Sequence, residues 1–297
     1  MKRLVIIAVV LFSMIPIALR AQLDPVSLAL RAYQNKDLPK AKELIEIAVG
    51  DDNFNGITKT WYFRGYIYKD LYKEAKGSGE EFELRSTAIE SYSKTIELEP
   101  QGELVEDCLN ILKYLSSTLY NDAAFALDSN NFETAQSLFD NYSEVIMMIN
   151  PTMDLNQRTI EFKLYKASKY SYLFDNPRPE DNTEDIGNKV VKLYEGVLVL
   201  DPENISANYN LAIHYYNQGV NIIENMDYEQ DFETLFEIQA QVMDLFGAAL
   251  PYMLKAYELN PLRKETLVGL SGIYFGLNNI EESEKYQAEL KKLENQE

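Results

Sequence analysis

The side chains able to do covalent or acid–base chemistry are few, and they stand apart. His214 is the only histidine and Cys108 the only cysteine. A nucleophilic triad needs a histidine placed with a serine or cysteine and an acid, and nothing around His214 points to one. A zinc site needs several histidine or cysteine ligands, and two such residues are too few. No glycine-rich phosphate loop occurs: Gly77-Ser78-Gly79 lacks the third glycine and reads as a turn. Calcium loops of the Asp-x-Asp type are absent. Carboxylates number 47, so the nearness of any two carries little information. We therefore expect no enzyme, no metal and no cofactor. His214 reads as a packed or groove-lining polar residue, and Cys108 as a small buried apolar one. Tyrosine is what the chain has in excess, with 21. Tyrosine offers large, rigid contact area with a polar tip, which suits a binding surface.

Charge narrows the partners. The formal net charge is −19. Such a chain repels phosphate backbones and anionic lipid, so nucleic acid is not expected as a partner. The excess serves solubility, or it steers in a basic partner. Lys2 and Arg3 precede an apolar run from Leu4 to Ala18, and Ala21 stands before Gln22. That is the layout of a secretory signal peptide over residues 1–21, of a bacterial kind, although Leu19 is larger than is usual three residues before a cut. An uncleaved anchor is the other reading, and the run is short of the ~20 residues a spanning helix needs. Cleavage would remove Lys2, Arg3 and Arg20 and take the charge to −22. No later stretch is apolar enough to cross a membrane, so the expected location is exported, periplasmic or secreted. An exported chain with one cysteine has no internal disulfide, and packing must supply the stability.

From residue 25 onward, apolar residues recur every three or four positions, which is helical periodicity. The helices also repeat. Ala88, Tyr92, Thr95 and Pro100 keep one spacing; so do Val190, Tyr194, Val197 and Pro202, and again Ala249, Met253, Ala256 and Pro261. Trp61, Gly65 and Tyr68 stand at a large–small–aromatic spacing on one preceding helix, and Leu211, Ala212 and Tyr215 form an apolar–small–aromatic set on another. On these residues the chain resembles the tetratricopeptide repeat (TPR) family, over roughly residues 25–293. Arg64 departs from the pattern, where an apolar residue is usual. The steric logic is that small residues let paired helices approach and aromatics fill the gaps.

The resemblance implies an all-α fold: a right-handed superhelical array of about six antiparallel helix pairs, filling 22–297. Three insertions are expected between paired helices, near 74–86, 175–187 and 219–246. Phe232, Leu235, Ile238, Val242 and Leu245 make the last of these a helical extension, and Asn176-Pro177-Arg178-Pro179 makes the second a loop. In the family the first helices line a concave groove. Carried across by register, the groove residues are Lys59, Tyr62, Tyr66, Lys69 and Asp70 in one pair, and Ser206, Tyr209, Ile213, Tyr216 and Asn217 in another, with Tyr33 and Tyr120 from weaker registers. The implied function is a scaffold that binds a protein or peptide, in a setting such as cell-envelope assembly. A glycan-binding groove that uses the same tyrosines is the alternative.

Overall fold

A computed structural model of the chain describes residues 24–227 and 229–295. The expected signal peptide lies outside the described residues. Twelve helices and no strand occur among the described residues. In chain order they are α1 (Pro25–Gln34), α2 (Leu38–Val49), α3 (Thr58–Glu74), α4 (Glu81–Leu98), α5 (Val105–Asp128) and α6 (Phe132–Ile149), followed by α7 (Asn156–Asp175), α8 (Thr183–Leu198), α9 (Ile205–Glu224), α10 (Phe232–Leu259), α11 (Lys264–Gly276) and α12 (Ile280–Glu294). The chain divides into two compact units. One holds α1 to α4 with α5 up to Leu119 and α6 from Asn141; the other holds the remainder.

Consecutive helices form pairs. In the first unit Tyr72 meets Arg85 near the turn, and seven residues further along each helix Gly65 meets Tyr92. Partners that converge toward the turn define an antiparallel pair, α3/α4. Gly65 is needed there: a Cβ at that position would stand 2.8–2.9 Å from the Tyr92 ring. In the second unit the Phe246 ring of α10 lies against Gly219 of α9 and Gly276 of α11, so one aromatic fills the space between two first helices.

Three of the pairs turn in the same way. Lys36, Asn130 and Asn278 each adopt φ near 60°. The next residue, Asp37, Asn131 or Asn279, donates its N–H to the carbonyl five residues back, at 3.0, 2.8 and 2.8 Å. The same three side chains cap the following helix, accepting from the N–H of Lys40, Thr134 and Glu282. One residue thus closes one helix and opens the next. The pairs α3/α4, α7/α8 and α9/α10 lack this turn, and these are the pairs for which insertions are expected. Around 74–86, helix continues to Glu74 and resumes at Glu81, with Gly77 and Gly79 at positive φ between them. Around 175–187, residues 176–182 are loop and Thr183 opens α8. Over 219–246 the added residues lengthen both helices, to 20 and 28 residues. Pro251 sits inside α10 and removes the donor that would reach the Gly247 carbonyl.

Arg64 turns its departure from the pattern into a junction. Its guanidinium donates to Glu46 of α2 at 2.8 Å, to Glu90 of α4 at 2.9 Å and to Ser91 at 3.1 Å. Cys108 is fully buried, and burial pushes its thiol up to about 12. His214 is buried against Phe174 with its Nε2 unpartnered. Burial in these apolar surroundings lowers its pKa to about 4, and the Gly187 backbone opposes the shift.

Candidate functional site

Of the residues expected to line the groove in the first unit, Tyr62, Tyr66, Lys69 and Asp70 recur at helical spacing on one face of α3, and Lys73 continues that face. Tyr33 comes to them from α1. Its hydroxyl donates to Asp70 at 2.5 Å, and its ring meets Tyr66 edge-on at 6.4 Å. Tyr62 donates to Asp107 on α5 at 2.6 Å and tilts against Tyr66 at 5.2 Å. Behind them stands Tyr92 of α4, fully buried, 6.2–6.3 Å from both rings, with an unpartnered hydroxyl. Desolvation and then the neighbouring carboxylate raise the pKa of Tyr33 and of Tyr62, so both stay protonated donors. Lys69 lies over the Tyr66 ring at 3.9 Å and 3.8 Å from Asp70, and desolvation lowers its pKa.

Two cavities open beside this cluster. One, of about 220 Å³, is lined by Leu30, Tyr33, Tyr62, Phe63, Tyr66 and Ile67. It is smaller than the ~300–1,000 Å³ of small-molecule sites, and it suits a single apolar side chain. The other, of about 440 Å³, mixes apolar surface from Tyr33 and Leu38 with Lys36, Asp70, Lys73 and Glu74. Tyr33 forms part of both walls. Lys59 is exposed on the first turn of α3 and belongs to neither.

In the second unit three of the expected groove residues, Tyr209, Ile213 and Tyr216, are spent on packing. The Tyr209 ring is covered by the Arg263 guanidinium at 3.6 Å. Tyr216 packs on Phe246 and over Gly272, and Ile213 joins the adjoining core. Ser206 and Asn217 are exposed. Asn217 lines a bowl of about 510 Å³ with Phe174, Asp175, Asn221 and Glu224. Tyr120 sits apart from these, with Arg158 over its ring at 5.3 Å and Glu161 accepting from its hydroxyl at 3.4 Å.

Sequence reasoning missed Asp107, Leu30, Phe63 and Ile67. Leu30 stood one turn before Tyr33, and Phe63 and Ile67 flank Tyr62 and Tyr66, so the helical period carried that signal. Asp107 lies 45 residues from Tyr62, and no local pattern links them. No group of three or more metal-ligating side chains occurs among the described residues, and no described helix is long and apolar enough to cross a membrane.

The described residues define an all-α protein of consecutive, TPR-like helix pairs. No family model matches the chain, and no curated protein matches it. Among solved structures it is similar to PilW, described as a widely conserved type IV pilus biogenesis factor, at 16% identity and a TM-score of 0.34, over 90% of this chain and 91% of that one. It is similar to MamA at 14% identity and a TM-score of 0.33, over 78% and 92%. The dimer of human IFIT1 with m7Gppp-AAAA matches at 12% identity and a TM-score of 0.36, over 90% of this chain and about half, 49%, of that one.

Proposed function

We propose that this protein is an exported, non-catalytic scaffold of the cell envelope that binds a protein or peptide partner on the tyrosine face of α1 and α3. The observation that carries this reading is the apolar cavity between Tyr33, Tyr62 and Tyr66, next to carboxylates held by tyrosine hydroxyls. Such a cleft takes one anchoring apolar side chain and offers hydrogen-bond acceptors to the backbone beside it. A glycan needs open ring faces to stack on. The faces of Tyr66 and Tyr209 are already taken by Lys69 and Arg263, which favours a peptide.

The test is a photo-crosslinking residue placed at exposed Lys59 on α3, and separately at exposed Ile47 on the second helix α2. In living cells Lys59 should capture one or two proteins in stoichiometric amount, and Ile47 should not. Tyr66→Ala combined with Leu30→Ala should then weaken the purified complex at least tenfold. Equal capture from both positions, or an unchanged affinity in the double variant, would remove this face from consideration.

A further inference from the structure

From Ile205 through Leu254 the α9–α10 hairpin carries no Lys or Arg. Between Lys192 and Lys255 the sequence has no Lys or Arg, and it has ten carboxylates. Within this stretch α10 presents two apolar faces. Val242, Phe246, Ala249 and Met253 face the core. Phe232, Phe236 and Met243 fall within about 40° of one another at 100° per residue, on a different side of the helix. These three are 82%, 68% and 42% exposed. Gln239, Ala240 and Gly247 continue the strip without charge, and the space beyond Gly247 is open. The strip is about 16 Å long, three helical turns at 1.5 Å per residue. Glu233, Glu237 and Asp244 run along one border. The next cation along α10, Lys255, is held by Glu203 and Glu258.

An exposed apolar strip on a cation-free stretch of helix selects its occupant by charge. A second copy of this chain would bring two acidic borders together, and anionic lipid would be repelled in the same way. A helix with apolar residues along one face and Lys or Arg beside them satisfies both parts of the surface. We propose that the strip formed by Phe232, Phe236 and Met243 is a docking site for a basic amphipathic helix of a partner protein, whose cations meet Glu233, Glu237 and Asp244. This site does not depend on the tyrosine cleft.

The probe is a labelled peptide of about fifteen residues, enough to cover the strip, with leucine at every third or fourth position and lysine elsewhere. A matched leucine–glutamate peptide is the control. The lysine peptide should bind, and the glutamate peptide should not. Phe232→Ser with Phe236→Ser should weaken binding at least tenfold while circular dichroism stays unchanged. Glu233→Gln with Glu237→Gln should weaken it several-fold and flatten its salt dependence. Tyr66→Ala should leave it unaltered. Equal affinity in the wild type and the phenylalanine variant would mean charge attraction alone and would overturn the proposal. So would sedimentation that shows a dimer broken by those serines, retention on phosphatidylglycerol vesicles, or loss of peptide binding in Tyr66→Ala, which would assign the peptide to the cleft instead.

Discussion

Gly65 and Gly247 respond in opposite directions to the same substitution. Both lie inside helices, where alanine is intrinsically better by about 1 kcal/mol. At Gly247 an added methyl meets open space, so Gly247→Ala should stabilise by roughly 0.5–1 kcal/mol. At Gly65 it meets the ring of fully buried Tyr92. Overpacking costs about 1–3 kcal/mol, so Gly65→Ala should destabilise by a net of up to about 2 kcal/mol. Urea unfolding of the two variants checks both signs. His214 makes a second prediction. Its folded pKa of about 4 lies below the ordinary 6.5, so the unfolded chain takes up its proton first as pH falls. The stabilisation is complete above pH 6.5 and is lost as pH drops toward 4, by up to roughly 3 kcal/mol. Urea midpoints between pH 7 and 4 should fall more steeply for the wild type than for His214→Leu.

At the scale of the element, the αL turn decides which pairs are tight. Asn130 and Asn278 tolerate positive φ, but Lys36 does so at a cost near 1 kcal/mol. Lys36 is exposed, so Lys36→Asn should stabilise by up to about 1 kcal/mol, read as a rise in melting temperature. Arg64 joins α2, α3 and α4; its partner Glu90 is largely solvated and Glu46 partly so. Arg64→Leu gives up these pairs and the guanidinium that lies over the Trp61 and Tyr68 rings and should cost about 1 kcal/mol, whereas Arg64→Ala removes the half-buried aliphatic stem as well and should cost more. Thermal melts of the pair separate charge from packing.

For the whole molecule, a net charge of −19 is a standing self-repulsion. Raising ionic strength from about 0.01 to 0.15 M shortens the screening length from ~30 to ~8 Å. Stability should rise by about 1 kcal/mol, near 2–4 °C in melting temperature. Binding of any basic partner should weaken over the same range. A melting temperature that falls with salt would mean that attractive ion pairs, and not repulsion, dominate the surface.

Much of the architecture was legible in the sequence because it is set locally. The 3.6-residue period, the Asx residues at the turns and the recurring small and aromatic positions depend only on neighbours a few residues away. The charge and the scarcity of histidine and cysteine were likewise direct readings. The cleft was legible only in part. Tyr33, Tyr62, Tyr66, Lys69 and Asp70 were named from register and do gather on α1 and α3, but register could not tell them from Tyr209 and Tyr216, which are covered by Arg263 and packed on Phe246. The bond from Tyr62 to Asp107, and the placing of Phe246 between Gly219 and Gly276, join residues far apart in the chain. Those contacts follow from how helices stack, and stacking alone decided which tyrosines keep a face toward solvent and which are spent on the core.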